Sequence, residues 1–215
     1  MNVPINKGNY NMDTDERIKA YGEKLAEGWE EAYRKYRSDW VENAQKRIVS
    51  DYPLLLDIET SSVCNLKCSM CFSGTEEYKK LVKPTMLKMQ LFEKIMNEVA
   101  GKIPALRLSW RGEPTLHPGL RQMIRLAKKS GFGEVSFLTN GSKLSGEYVD
   151  ELVSAGLDWI TISIDGMGSV YENIRKPMKF DDVLRNVKNL AGAKKKAWIK
   201  QAGCQSSGNL AVNTQ

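Results

Sequence analysis

Short apolar segments alternate with helical segments from residue 54 onward, and this alternation restricts the fold more than any other feature of the sequence. Apolar runs typical of buried strands occupy Leu54–Ile58, Leu106–Trp110, Val135–Leu138 and Trp159–Ile164. Helical spacing of apolar residues is found at Leu91–Val99, Leu120–Ala127, Tyr148–Ala155 and Phe180–Leu190. Strands that alternate with helices form parallel sheets. The sequence therefore predicts an α/β fold.

The N-terminal segment has a different pattern, which is typical of a long amphipathic helix. From Ile18 to Ile48 the apolar residues recur every three or four positions, with Glu, Lys and Arg between them. Gly22 and Gly28 weaken this pattern and predict a break into two pieces. Residues 1–51 are therefore expected to form a helical extension that packs on the rest of the domain.

The alternating pattern ends near residue 200. Ala197–Lys200 is predicted to begin a fifth strand, and the following sequence QAGCQSSGNLAVNTQ has no clear period. We expect residues 52–200 to form the core of the domain and residues 201–215 to form an irregular tail. Because a sheet that ends as a strand begins is unusual, we also expect the chain to be truncated at its C-terminal end.

Composition limits the class of protein. The chain has 215 residues, of which 41% are hydrophobic, so it can bury a core. Its longest aliphatic run, Leu54–Leu56, is far shorter than the ~20 residues of a membrane-spanning helix. The first residues lack the apolar run of a secretory signal, so we expect a cytoplasmic protein with reduced thiols and no membrane contact. The net charge of +6 is spread along the chain, so we do not expect a nucleic-acid partner.

Three of the four cysteines lie close together in the sequence CNLKCSMC, as Cys64, Cys68 and Cys71. Such clustering points to a metal site rather than to disulfides. Zinc normally takes four protein ligands, and beyond these thiols the chain offers only His117 and the distant Cys204. Three thiolates suit a [4Fe–4S] cluster in which one iron stays open to another ligand. Zinc remains the alternative.

Polar turns follow each of the four predicted strands. They are Glu59–Val63 with the cysteine loop, Arg111–Pro114, Thr139–Gly141 and Ser163–Gly166. In a parallel α/β fold the carboxyl ends of the strands meet at one edge, where ligands bind. The four turns therefore predict one shared site.

Taken in order, these motifs resemble those of the radical S-adenosylmethionine (radical SAM) enzymes. The resemblance covers roughly Leu54–Leu190 and includes Thr60, the cysteine loop, and the Gly-Glu-Pro, Thr-Asn-Gly and Ser-x-Asp turns. Met70 stands where the family usually has an aromatic residue, and Arg111 stands where it usually has the first of two glycines. The resemblance implies a partial (β/α) barrel, which in this chain is incomplete at the C-terminus.

The resemblance also implies which residues hold the cofactors. Cys64, Cys68 and Cys71 would bind a [4Fe–4S] cluster, and SAM would contact Gly112, Glu113, Pro114, Asn140, Ser163, Asp165 and Arg175. Glu113 would accept from the SAM ammonium, because charge-assisted hydrogen bonds are strong. Ser163 and Asp165 would contact the ribose hydroxyls. Arg175 would face the SAM carboxylate.

The function implied by the resemblance is reductive cleavage of SAM to a 5′-deoxyadenosyl radical that abstracts hydrogen from a substrate. An electron donor such as a flavodoxin or ferredoxin is implied, together with a peptide or protein substrate. The turn sequences resemble the branch of the family with C-terminal auxiliary-cluster (SPASM-type) extensions. Two alternatives stay open, namely a structural zinc or iron–sulfur module and an inactive truncated fragment of such an enzyme.

Overall fold

The computed structural model describes residues 15–201 and 211–214, and it confirms the predicted α/β fold. The helices are α1 (Asp15–Ala26), α2 (Glu30–Lys46), α3 (Glu76–Leu81), α4 (Met89–Val99), α5 (Leu120–Lys129), α6 (Gly146–Ser154), α7 (Ser169–Ile174) and α8 (Phe180–Gln201). The strands are β1 (Leu55–Asp57), β2 (Ala105–Arg107), β3 (Glu134–Thr139), β4 (Trp159–Ile162) and β5 (Ala211–Thr214).

The strands form one parallel sheet in the order β1-β2-β3-β4-β5. This is the arrangement of a partial (β/α) barrel, because each crossover helix returns the chain to the next strand. The four strands predicted first are all present. Strand β2 ends at Arg107 rather than at Trp110, and the Trp110 side chain is exposed.

The fifth strand differs from the prediction. Ala197–Lys200 lies in α8, and strand β5 is Ala211–Thr214. The sequence around residue 197 is rich in Ala and Lys, which are strong helix formers, and this favours continuation of α8. Residues 202–210, which include Cys204 and most of the predicted tail, lie outside the described residues.

The two faces of the sheet have different character, because successive strand residues point to opposite sides. One face carries fully buried apolar side chains that pack under α4, α5 and α6: Leu106, Val135, Phe137, Ile160 and Ile162. Burial of each such side chain contributes roughly 1.5–3 kcal/mol, so this face holds the fold together. The opposite face carries polar side chains: Asp57, Arg107, Glu134, Ser136 and Thr161.

The predicted break in the N-terminal helix occurs at one of the two glycines. Gly28 has a φ of +84° and lies between α1 and α2, whereas Gly22 is inside α1. Aromatic rings from Trp29 to Trp40 contact one another with centroids 5.3 to 6.3 Å apart. A Cβ on Gly133 would lie 2.3 Å from the Trp29 ring, so α2 packs closely against the start of β3.

This packing buries a carboxyl group. Glu134, the first residue of β3, is 5% exposed. Burial raises its pKa to about 7, and the Arg37 guanidinium on α2 acts in the opposite direction. Asp158 raises the pKa further, whereas Lys128 lowers it. None of the helices in the described part of the chain combines the length and apolar character that crossing a membrane requires.

Glu134 makes the stability of the fold depend on pH. Between its ordinary pKa of 4.5 and about 7, the carboxyl ionises in the unfolded chain before it ionises in the folded one. The free energy of unfolding therefore falls as pH rises through this window. We expect it to fall by about 2–3 kcal/mol more in the wild type than in Glu134→Gln between about pH 5 and about pH 8. Urea titrations at the two pH values measure this difference, and parallel pH dependence in the two proteins would contradict it.

Candidate functional site

The polar turns predicted from the sequence meet at one edge of the sheet. The Glu59 carboxylate after β1 accepts hydrogen bonds from the Arg111 guanidinium after β2, at 2.6 and 3.1 Å. The Ser163 backbone N–H after β4 donates to the Thr139 carbonyl at 3.0 Å. Ser163 is half-buried at this edge. The turns after four neighbouring strands therefore form one continuous rim.

Gly112 lets the turn after β2 press against the cysteine loop. Its φ is +66°, and a Cβ would lie 2.3 Å from the Ser61 carbonyl oxygen. The next residue, Glu113, donates its backbone N–H to the Val63 carbonyl at 2.8 Å. Without a Cβ, Gly112 allows this turn to pack against the backbone of Ser61 and Ser62, just before Cys64.

Glu113 is buried, and its carboxylate accepts four hydrogen bonds from the protein. Oε1 accepts from the Thr115 N–H (3.1 Å), the Thr115 hydroxyl (2.5 Å) and the Thr139 hydroxyl (2.6 Å). Oε2 accepts from the Asn140 N–H at 2.7 Å. Burial raises the pKa of Glu113, and these hydrogen bonds lower it. Oε1 thus has three protein donors and Oε2 has one, and the carboxylate connects the turn after β2 to the turn after β3.

The neighbouring Pro114 is buried and begins a short 3₁₀ turn at Pro114–Leu116. His117 ends that turn. Its Nε2 lies 2.8 Å from the Leu87 carbonyl, and its Nδ1 accepts from the Gly119 N–H. His117 therefore stabilises this loop through both of its ring nitrogens.

The cysteine loop is held at the same edge by backbone hydrogen bonds. The Lys67 N–H donates to the Lys176 carbonyl at 2.7 Å, and the Ser69 N–H donates to the Ile174 carbonyl at 3.0 Å. Cys64 is exposed, Cys68 and Cys71 are partly buried, and all three are free thiols. Burial raises the pKa of the Cys64 thiol.

Asn140, after β3, connects this loop to Glu113. Its side-chain amide donates to the Asn65 amide oxygen at 3.0 Å and approaches the Cys64 Sγ at 3.8 Å. Asn65 in turn donates to the Ser142 hydroxyl at 2.9 Å. The structure therefore places Asn140 between the buried carboxylate and the first thiol.

Arg175 and Asp165 are paired with each other. The Arg175 Nε donates to the Asp165 Oδ2, and the Arg175 Nη1 lies 3.7 Å from the Cys68 Sγ. Burial raises the pKa of the Cys68 thiol, and the adjacent Arg175 guanidinium opposes this change. The Arg175 guanidinium therefore contacts both Asp165 and the second cysteine.

Some residues of this site were not singled out from the sequence. They are Asn65, Ser73 and Thr115. Each is a short polar residue beside a motif residue, a pattern that is common in ordinary turns. Their place beside a motif residue is the one signal that could have marked them.

A cavity of about 830 Å³ opens on the polar face of the sheet. Its lining includes the ion-paired Asp57 and Arg107, with Ser136, Thr161 and the α2 residue Trp40. The volume lies in the range of ligand-binding cavities. The cavity lies on the face of the sheet opposite the apolar core.

Replacing Glu113 by Gln tests the buried hydrogen-bond set. An amide can keep one acceptor oxygen, but its NH₂ group then faces a buried donor, so the free energy of unfolding should fall by about 1–3 kcal/mol. The matched control is Glu59→Gln on the same rim. Its ion pair with Arg111 is partly exposed, so the loss should stay below about 1 kcal/mol. Urea unfolding measures both, and equal losses would contradict the distinction.

The sequence matches the family model described as the Radical SAM superfamily over residues 58–200. Among curated proteins, the tungsten-containing aldehyde ferredoxin oxidoreductase cofactor-modifying protein of Pyrococcus furiosus is 37% identical over 113 residues. These residues are 51% of this chain and 30% of that protein. The chain spans 22% to 41% of the length of such curated relatives.

Two solved structures share the fold. One is anSMEcpe with bound AdoMet, which has a TM-score of 0.58 and 22% identity over 74% of this chain and 44% of that chain. The other is Streptococcus suis SuiB bound to the precursor peptide SuiA. It has a TM-score of 0.58 and 16% identity over 86% of this chain and 37% of that chain.

Enzymes of the matched family use a [4Fe–4S] cluster and SAM, which confirms the cofactors predicted from the resemblance. The family match covers well over half of the chain and includes the cysteine loop and every turn of the rim. The chain therefore belongs to the Radical SAM superfamily, a family of enzymes that carry out SAM-dependent radical chemistry.

Proposed function

We propose that this protein binds a [4Fe–4S] cluster through Cys64, Cys68 and Cys71 and cleaves SAM reductively to start hydrogen abstraction from a substrate. One observation carries the proposal: the three thiols lie on one loop at the edge where the polar turns meet, and each has a polar group next to its sulfur. The bound cofactors would supply the electron transfer and the radical chemistry. The chain positions them and shapes their surroundings.

The donor set fits a cluster. Thiolates are the ligands that iron–sulfur clusters take, and the loop supplies three of them with backbone hydrogen bonds on either side of Cys68. Within residues 15–201 and 211–214, no group of three His, Cys, Asp or Glu side chains is gathered closely enough to hold a single metal ion. A cubane binds each cysteine at a different iron, so its ligands need not converge on one point.

The rim offers hydrogen-bonding groups to SAM. The groups we assign to its binding are the Ser163 side chain, the turn at Gly112–Pro114 with the Glu113 carboxylate, and the Asn140 amide. Glu113 also fixes the Asn140 backbone, because its Oε2 accepts a hydrogen bond from the Asn140 N–H at 2.7 Å. Asp165 keeps its assigned place at the ribose end of the site, where its second oxygen is available beside the ion pair with Arg175.

The substrate is proposed to be a peptide or protein segment that enters the cavity on the polar face of the sheet. The cavity volume of about 830 Å³ and its mixture of an ion pair, hydroxyl groups and an indole ring suit side chains of several kinds. SuiB, which shares the fold, was solved with a precursor peptide bound. The Asp57–Arg107 ion pair lines this cavity and would meet polar backbone groups.

A low-potential electron carrier is proposed as the partner, in a reducing compartment such as the cytoplasm. A cluster that cleaves SAM has to be reduced by one electron before each turnover, and a flavodoxin or a ferredoxin supplies such electrons.

The proposal predicts cysteine-dependent cleavage of SAM. After anaerobic reconstitution with iron and sulfide, the purified chain should form 5′-deoxyadenosine from SAM and a strong reductant. A variant with Cys64, Cys68 and Cys71 all replaced by Ala should give no more product than a protein-free control, because the ligands are lost. Cys204→Ala is the matched control, since it removes a cysteine outside the loop, and it should retain full activity.

Metal analysis separates the alternatives. About four irons with equivalent sulfide per chain would support the enzyme, and one zinc without sulfide would instead indicate a structural zinc module. A fully loaded chain that forms no 5′-deoxyadenosine would contradict activity of this chain and favour an inactive fragment.

A further inference from the structure

Each thiol of the cysteine loop has a polar group close to its sulfur, and two of these groups come from distant parts of the chain. They are Asn140 Nδ2 at 3.8 Å from Cys64, Arg175 Nη1 at 3.7 Å from Cys68, and the Ser73 hydroxyl at 2.9 Å from Cys71. Nitrogen donors at these distances from sulfur make weak N–H···S hydrogen bonds. The loop therefore receives hydrogen bonds from the sheet edge and from α7.

Carboxylates orient both distant donors. The Asn140 backbone is held by Glu113, and its side-chain oxygen accepts from the Ser142 N–H at 2.9 Å. The Arg175 Nε donates a hydrogen bond to Asp165, and this bond directs Nη1 toward Cys68. Asn140 is 6% exposed and the Arg175 side chain is 14% exposed. A largely buried donor that already makes a second hydrogen bond loses little conformational freedom when it bonds to a ligand sulfur.

Arg175 has the larger electrostatic effect of the two, because it carries a full positive charge beside a thiol. The Asp165 side chain that balances it is 36% exposed and so is better screened by water. Reduction of a [4Fe–4S] cluster adds one negative charge. A cation and N–H donors at the thiolates stabilise the reduced form more than the oxidised form.

We propose that Arg175, oriented by Asp165, is an outer hydrogen-bond donor to the Cys68 thiolate that raises the reduction potential of the cluster, with Asn140 acting in the same way on Cys64. The inference rests on the proposed cluster site. It differs from the expectation drawn from family resemblance, in which Arg175 meets the SAM carboxylate. Under that expectation Arg175 would act only when SAM is present.

The test is the midpoint potential of the reconstituted cluster, measured by EPR-monitored redox titration without SAM. Arg175→Gln should lower the ratio of reduced to oxidised cluster at a given potential by about tenfold, which corresponds to about 59 mV for one electron. Arg175→Lys keeps the charge and should recover part of this shift. Arg185→Gln removes an exposed arginine from α8, where it pairs with Asp182, and should leave the potential unchanged.

An Arg175→Gln protein with a full cluster and the wild-type potential would overturn the inference, as would a variant that changes only SAM affinity. Should Arg175→Gln fail to take up iron, Arg175→Lys carries the test, because it keeps the positive charge but removes the Nη1 donor that faces Cys68. A potential below that of the wild type in Arg175→Lys supports the proposal, and a wild-type potential overturns it. A wild-type chain that binds no iron and sulfide would instead overturn the proposed function itself.

Discussion

A buried carboxylate organises the functional edge of this protein. An ionised group taken out of water is costly unless donors surround it, and Glu113 has four such donors. Two of them belong to Thr115 in its own turn, and the others belong to Thr139, the last residue of the neighbouring strand, and to Asn140, which follows it. The carboxylate thus fixes the turn after β2 to the turn after β3. Since Asn140 also contacts Asn65 and approaches Cys64, the position of the cysteine loop depends on the same group.

The two faces of the sheet have different roles: the apolar face stabilises the fold, and the polar face carries groups available for chemistry. The apolar face is sealed by helices and contains side chains such as Phe137 and Ile160 that are fully buried. The polar face is covered only in part, by α2 near the start of β3, and it retains a cavity of about 830 Å³. The same division lets one fold serve different reactions, because residues on the open face and rim can change without disturbing the core. The names of the curated relatives include a methyltransferase, a cyclase and a maturase, which accords with such reuse.

Three elements of the fold contact the cysteine loop. Glycine at position 112 admits the turn after β2, the Asn140 amide comes from the end of β3, and Arg175 comes from the end of α7. These elements also fix the loop backbone, through the bonds from Lys67 and Ser69 to carbonyls at the end of α7. A metal site is tuned as much by such neighbours as by its ligands. Here the neighbours include a charged guanidinium, whose effect on nearby thiolates is larger than that of a neutral amide.

The fold class and the location of the site followed from local patterns. Apolar runs that alternate with helical segments predicted β1 to β4, because a buried strand of a parallel sheet is a short run of consecutive apolar residues. The spacing of Cys64, Cys68 and Cys71 predicted a cluster for the same reason, since all three ligands lie on one short loop. The strand predicted at Ala197–Lys200 failed because helix-forming residues extended α8 through it.

What the sequence by itself determined was therefore the alternation of strands and helices, the grouping of three cysteines on one loop, and the edge at which polar turns would gather. Only the tertiary structure decided the partners of Glu113 and Arg175. Sequence patterns do not show that Glu113 would be enclosed by four protein donors, or that Arg175 would lie beside a cysteine 107 positions earlier in the chain. Those contacts arise when neighbouring strands come into register and α7 folds back over the rim. The choice of partner then depends on distances through space, which local residue patterns do not encode.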